Sequence, residues 1–489
     1  MGKRTKRSFA SAPQLNEGDP SLKRLHLGSP VATVRLRLTY TTYAFSTSCP
    51  LTLLPCLTFR NEYALSYSFF ESRGLASFRP LESTEERSDE RLIHGSRSSL
   101  TEPKIRVVGA RAAHRPTGLL CQNRKESCAQ MKSLRLGLVG LHNHYHAIPF
   151  VDELQKGIEG LELVAVSDER EALVKDFGER RLKGDWTTDS MGLIARDDID
   201  AVIITSYTSA HAEQVEAAAE HGKHVLLDKP IATTLADADR IVRASKEVKI
   251  LLAYLLRFLP AYREAFRALE NGAVGKPVSG FYSIRVPASF IKDHPGADHL
   301  GWYADSVKGG GGGFLDHGVH FTDFFRWFFN SEPVSVMSTI GNLTYPELGT
   351  DDYGIATYTL ESGAVVTVES TWHAAGWFAP LTSPDRATIS GTRGEIELHY
   401  QKSPQIEIQG IDYPWDQRRY VDYAGPARYE ECYRNLLIEF RDTILEDRSP
   451  VPSAADGRAA LEMILAAYES SRTGRRVTFP YHYEPAVHA

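Results

Sequence analysis

The sequence predicts two α/β domains: a doubly wound parallel sheet, followed by an α+β domain whose sheet is mostly antiparallel and open on one face. Two observations carry this. Short apolar runs alternate with helical stretches over about 125 residues from Leu134, the rhythm of a parallel sheet with crossover helices. After Arg257 the rhythm changes to strands of alternating polarity, which suit an antiparallel sheet covered on one side. A third observation sets the first 130 residues apart. They hold 20 Lys+Arg against 11 Asp+Glu, a net of +9 that leaves −15 for the rest of a chain whose total is −6. Cys49, Cys56, Cys121 and Cys128 lie in this leader and only Cys432 beyond it, which excludes a disulfide-stapled body and fits a reducing compartment. No run approaches the roughly 18 apolar residues of a membrane span. The 359 residues after the leader are enough for two domains with sizeable cores.

In the leader no apolar period persists. The longest β-prone run, residues 31–53, breaks on Ser46, Ser48 and Pro50, and the acids cluster in residues 82–90. Three readings stand: a transit peptide, which the Arg- and Ser-rich residues 1–60 fit and the acidic cluster does not; a disordered arm; and upstream sequence translated from a misassigned start. The last is favoured because no methionine falls between Met1 and Met131, and Met131 leads directly into the first strand. The expected domains are therefore an unstructured leader over 1–130, a nucleotide-binding domain over 131–255 and a substrate and oligomerisation domain over 256–489.

Residues 134–141 are a short apolar run with glycine punctuation, as expected of a buried parallel strand. A helix to about residue 156, a strand over 161–167 and a helix over 169–177 follow. After a link containing Trp186 come a helix near 190–196, a strand over 201–205, a helix over 211–221 and a strand over 224–227. Thr234 caps the next helix, with Asp237 in capping-box spacing, and a strand over 250–254 closes the series. The second domain opens with a helix over 260–271 and a strand over 278–286. An irregular stretch reaches the glycines 309–313, and a helix covers 316–329. Strands are expected over 334–344, 352–360, 364–371, 387–390, 395–399 and 405–408, then helices over 430–446 and 455–473.

A dinucleotide site needs a tight turn after the first strand, so that backbone N–H groups meet the pyrophosphate. Of the GxGxxG positions only Gly140 holds glycine; His142 and Tyr145 occupy the others. Taken alone this is weak, and an ordinary strand-to-helix turn explains it equally well. Asp168, ending the second strand, strengthens the nucleotide reading, because a carboxylate there accepts ribose hydroxyls and repels a 2′-phosphate. That favours NAD, with NADP left open. Asn143 and His144 share the turn with His142 and His146. Zinc is conceivable there, but no cysteine or local acid completes a site; phosphate or nicotinamide contact competes with partly exposed side chains that have no site role.

Three segments are more specific. Residues 222–230 run Gly-Lys-His-Val-Leu-Leu-Asp-Lys-Pro, residues 311–320 run Gly-Gly-Gly-Phe-Leu-Asp-His-Gly-Val-His, and the tail carries Pro450, Pro452, Ser453, Asp456-Gly457, Ala466-Ala467, Ser470 and Thr473-Gly474-Arg475. Together they resemble the Gfo/Idh/MocA family (glucose-fructose oxidoreductase, inositol dehydrogenase and rhizopine catabolism), over essentially residues 131–480 and in the right order. Asp228 stands where the family's Glu-Lys-Pro has glutamate.

The resemblance implies Lys229, Asp316 and His320 as catalytic residues, and physical chemistry agrees. Lys229 ends a parallel strand, where open α/β sheets bind ligands, and its ammonium can stabilise charge on a substrate oxygen. Imidazole suits a base that takes a hydroxyl proton, and Asp316, four residues before His320, shares its helix face and could orient His320 or bind another hydroxyl. The bland alternatives are a surface lysine, an aspartate at a helix N-terminus and an ordinary histidine. The resemblance further implies a fixed bend at Lys229-Pro230, and cofactor contacts from Gly140, His142, Asn143, His144, Asp168, Thr205, His211, Asp228, Lys229 and Pro230. Tyr254 and Arg257 stand where the family has an aromatic and an arginine, though an interface ion pair is the plainer reading of Arg257. Trp302, Tyr303, His299 and His373 could line a sugar pocket or could be core and rim.

The expectation is an NAD(P)-dependent oxidoreductase acting on a secondary alcohol of a sugar, cyclitol or related polyol. It would be cytoplasmic, without metal, nucleic acid or membrane partners, and a homodimer or homotetramer through the second sheet. Two alternatives stand beside it: transient oxidation that drives elimination or glycoside cleavage, and a nucleotide-sensing regulator without chemistry. Retention of Lys229, Asp316 and His320 argues against the regulator.

Overall fold

A computed structural model describes residues 133–482, apart from Lys183, Glu347, Tyr413, Trp415, Gln417 and residues 287–300, 373–384, 400–404 and 422–426. The leader, His299 and His373 lie outside the described residues.

The first sheet has six parallel strands in the order β3-β2-β1-β4-β5-β6. They are β1 (Leu134–Val139), β2 (Leu161–Ser167), β3 (Asp185–Thr187), β4 (Ala201–Ile204), β5 (His224–Leu227) and β6 (Ile250–Leu252). Helices α1 (His144–Gln155), α2 (Glu171–Phe177), α3 (Ser190–Ile194), α4 (His211–Glu220) and α5 (Leu235–Ala244) alternate with them. Residues 201–204 and 225–227 are fully buried, as strands covered on both faces require. Thr234 caps α5 as its spacing predicts, the Asp237 N–H donating to its hydroxyl at 3.1 Å. Chain order departs to one side from β1 to β2 and to the other from β1 to β4, so a crevice opens at the carboxyl ends of β1 and β4.

After α6 (Pro260–Glu270) comes a nine-stranded sheet in the order β14-β13-β12-β11-β7-β10-β9-β8-β15. Its strands are β7 (Pro277–Arg285), β8 (Pro333–Gly341), β9 (Tyr353–Leu360), β10 (Val365–Thr371), β11 (Asp385–Gly391), β12 (Gly394–His399), β13 (Ile406–Gly410), β14 (Arg419–Val421) and β15 (Val477–Thr478). Only β7 and β10 pair in parallel. Its inner face packs on α7 (Gly313–Phe329), whose Phe321 stacks on Tyr282 with ring centroids 3.8 Å apart. Phe314, Phe321, Phe324, Phe325 and Phe328 are all buried, each contributing about 2 kcal/mol of apolar burial.

The structure adds β3, β14 and β15 to the expected elements. These are strands of two or three residues, too short to show a period and held by pairing with longer neighbours. The chain then returns to the first sheet: α8 (Ala427–Leu445) lays Tyr433 against Phe150 of α1 at 5.0 Å. Just before α9 (Ala454–Thr473), Pro452 O accepts the Leu252 N–H at 3.1 Å. The expected division at residues 255 and 256 falls between β6 and α6.

Candidate active site

The turn after β1 is built around Gly140. Its φ of +82° is a left-handed conformation, and a Cβ there would lie 2.6 Å from Ser206 Cα, so only glycine fits. The Thr205 hydroxyl donates to Gly140 O at 2.5 Å and the Asn143 N–H to Thr205 O at 3.0 Å, pinning the turn to β4. Asp168, fully buried at the end of β2, accepts the Leu141 N–H at 2.7 Å. Both its oxygens also take Arg170, Nε and Nη2 each at 2.7 Å. Burial opposes its charge, yet the Arg170 bond, the nearby His142 and the Leu141 N–H together hold its carboxyl below the ordinary range. His142 turns to Glu169, Nε2 to Oε1 at 2.8 Å, and sets its ring edge-on against Tyr207. Its carbonyl accepts Trp302 Nε1–H at 3.2 Å, and Trp302 stacks on Tyr303. Trp302 and Tyr303 thus lie over the nucleotide turn.

His144 is half-buried against Tyr145. His211 is locked in place, with Nδ1 3.0 Å from Pro230 O and Nε2 3.2 Å from Ser206 O. It braces the wall of the site between α4 and the Lys229-Pro230 segment, whose peptide is cis. Asp228 is also buried and is triply held, by Asn143 Nδ2–H at 2.5 Å, His146 Nδ1 at 2.6 Å and the Lys229 N–H at 2.8 Å.

Next to it the expected catalytic residues converge. Lys229 Nζ donates to Asp316 O at 2.7 Å and to Asp316 Oδ1 at 3.0 Å. Asp316 Oδ2 accepts Trp372 Nε1–H at 3.3 Å and lies 3.1 Å from His317 Nδ1. Burial works against the Asp316 charge, but His317 and Lys229 outweigh it and hold the carboxyl well below its ordinary range. One turn on, His320 is held well below its ordinary pKa, by burial first and then by the charges of Lys229, His146 and His317. It is therefore neutral near pH 7 and able to accept a proton.

Helix α7, which carries this pair, is capped from outside. Asp351 accepts the Gly312 N–H at 3.0 Å and the Phe314 N–H at 2.7 Å, and its carbonyl accepts the Gly313 N–H at 2.8 Å. A Cβ on Gly312 would lie 2.0 Å from Asp351 O, so this part of the glycine run is a requirement of close approach. Arg257 lies deeper than a substrate contact, forked onto Asp323 at 2.8 and 2.7 Å, as the ion-pair alternative expects. Tyr254 is wholly buried, edge-on to His320.

Sequence reasoning weighed His146 only within the histidine turn, and did not single out His317, Trp372 or Asp351. His317 stands inside the quoted motif and could have been weighed; the others reach the site only through folding.

The nucleotide turn passes a fit test for NAD. It has a glycine-only bend at the crevice, a carboxylate at the end of β2, and buried polar atoms in the surrounding wall, Asn143 Oδ1 and Thr208 Oγ1, without hydrogen-bond partners among the described residues. Residues 134–254 match the oxidoreductase family with an NAD-binding Rossmann fold, and residues 262–397 match the GFO/IDH/MocA C-terminal domain. The chain is 28% identical over 360 residues to scyllo-inositol 2-dehydrogenase (NAD(+)) of Bacillus subtilis (strain 168), covering 71% of this chain and 96% of the relative. It is 27% identical over 351 residues to myo-inositol 2-dehydrogenase of Thermotoga maritima, covering 70% and 98%. In fold it is similar to levoglucosan dehydrogenase solved with NADH and levoglucosan, with a TM-score of 0.63, 24% identity, and coverage of 72% of this chain and all of that one. With both halves of the fold matched in order and the nucleotide turn in place, the chain belongs to the Gfo/Idh/MocA family and is an NAD-dependent oxidoreductase.

Proposed function

We propose that the protein oxidises a secondary alcohol of a cyclitol, sugar or related polyol. The observation that carries this reading is the meeting of Lys229 with Asp316 at 3.0 Å, one helical turn from a neutral His320, beside the nucleotide crevice. The inositol dehydrogenase relatives support the substrate class.

NAD held at the Gly140 turn and Asp168 would supply the acceptor for the hydride that leaves the carbinol carbon. Lys229 donates a hydrogen bond to the substrate oxygen and stabilises the charge that grows there. Asp316 fixes the ammonium from two sides, through its carbonyl and its carboxylate. His320 receives the hydroxyl proton. Asp228 holds Asn143 and His146 in place beneath Lys229.

The test is absorbance at the reduced-nicotinamide band with scyllo-inositol, myo-inositol and levoglucosan. Turnover that falls about a thousandfold in Lys229→Ala, with NAD binding retained, is the expected result; wild-type turnover in that variant would end the mechanism. One observation favours a second reading. The bond from Trp302 to the His142 carbonyl fastens the chain over the nucleotide turn, which suits a retained cofactor and transient oxidation. Substrate consumed without net reduction of NAD would select it.

The open face of the nine-stranded sheet is where a second copy of the chain would dock, giving a homodimer or homotetramer.

A further inference from the structure

Two buried polar atoms beside the proposed base are left unmatched. His320 Nδ1 and the Tyr254 hydroxyl both lack a hydrogen-bond partner among the described residues, and their rings meet edge-on, with centroids 5.9 Å apart and an interplanar angle of 76°. Tyr254 has no exposed surface, so any water at its hydroxyl is a buried one. Buried hydroxyls and imidazole N–H groups are costly to leave unpaired.

The chemistry of a proton-accepting imidazole sharpens the point. A neutral histidine carries one proton. With Nδ1 turned into the protein, Nε2 is the nitrogen left for substrate, and it can accept only if the proton resides on Nδ1. Among the described residues, no side chain hydrogen-bonds His320 Nδ1 to fix this tautomer. Lys229 at the end of β5, His146 on α1, and His317 and Asp316 on α7 act on its charge, but none of them bonds Nδ1. Tyr254 approaches from beyond β6, and the charged groups acting on it are Asp323 and Arg326 of α7, Asp456 of α9 and Arg257.

We propose that Tyr254 is the positioning residue of His320: its hydroxyl oxygen receives the Nδ1–H across one shared buried water, and so commits Nε2 to the substrate. Tyr254 then acts from behind the base and has no contact with the polyol. This rests on His320 being the base, and the test separates the two claims.

The experiment is Tyr254→Phe, which keeps the ring and removes the oxygen. In ligand-free protein labelled with 15N at histidine, and assigned by comparison with His320→Asn, wild-type His320 is expected as the Nδ1–H tautomer and Tyr254→Phe as largely Nε2–H. Titration with NAD, followed by tryptophan fluorescence, should be unchanged, since the nucleotide turn is untouched. With scyllo-inositol or whichever tested polyol turns over, kcat should fall about tenfold with KM within about twofold. The acidic limb of kcat should also move to lower pH, because the phenol oxygen stabilises the imidazolium more than the neutral ring. An Nδ1–H tautomer that survives in Tyr254→Phe, with an unmoved acidic limb, overturns the proposal. Wild-type turnover in His320→Asn would instead remove His320 as base, and the tautomer measurement would still report whether Tyr254 bonds it.

Discussion

Asp168 and Arg170 set opposing demands on the same ribose. A free carboxylate at the end of β2 would accept the ribose hydroxyls and repel a 2′-phosphate, but both Asp168 oxygens are engaged by the Arg170 guanidinium. On the proposed reading of this turn, the pair would balance NAD against NADP. Asp168→Ala leaves the guanidinium unopposed; kcat/KM with NAD should drop about tenfold while that with NADP rises. Arg170→Ala should move the ratio the other way. Equal ratios in both variants, measured with a single polyol, would contradict this assignment. The sequence displays Gly140 and Asp168 through their positions at strand ends, and it displays Lys229, Asp316 and His320 through two compact motifs. It does not display the Arg170 fork, the His146–Asp228 bond or the Trp372 contact to Asp316. Those depend on side-chain direction, or on segments more than 50 residues apart brought together by folding.

At the scale of elements, β11, β7 and α6 are joined by a buried polar knot. Asp385 opens β11 as a buried residue, hydrogen-bonded to Tyr282 of β7 and Tyr262 of α6, whose hydroxyls lie 2.5 Å apart. Burial raises its pKa and the two tyrosines lower it, and the balance leaves it at about 7 against an ordinary 3.8. The folded state thus holds this proton more tightly than the unfolded chain does. Its contribution to stability is complete below about pH 4 and is lost as pH rises to about 7, at roughly 1.4 kcal/mol per pH unit. Asp385→Asn should flatten urea-unfolding stability between pH 4 and 7 and exceed wild type above pH 7. Parallel pH curves for the two proteins would refute it. Alternating polarity identified these strands from sequence, yet Asp385 looks like an ordinary strand-entry aspartate until β7 and α6 close over it. The two- and three-residue strands β3, β14 and β15 escaped for a related reason: their existence depends on a neighbour, with no period of their own.

For the whole molecule, the alternation of runs and the change after Arg257 made both sheets legible, whereas strand order and the return of α8 and α9 to the first sheet were not, because periodicity carries no information about which elements meet. One consequence of the assembled sheet is a face that carries no helix among the described residues. Across it runs a continuous row, Met337, Thr357, Thr367, Phe281, Thr388, Glu397 and Glu407, each directly opposite the next. Inward neighbours such as Val336, Tyr358, Val366, Tyr282 and Ala387 are buried on α7 and the core, so this row points the other way. Its central part is three threonines around the half-buried Phe281, with half-buried Ile355 two residues before Thr357 on β9 and Met337 exposed at one end, while its Glu397 and Glu407 end is acidic. Nine strands at the usual spacing make a surface roughly 40 Å wide and about 20 Å tall, close to the 800 Å² or so per partner that a stable interface needs. Two copies stacked on the central part would bury the apolar groups and keep the acidic ends in solvent. Thr357→Arg places a charge at the centre of that contact without touching the inner face. Light scattering should then report a fall from a multiple of the chain mass to a single chain, with the ligand-free fold intact by circular dichroism. An unchanged mass in that variant would move the interface elsewhere, and a monomeric wild-type protein would remove it.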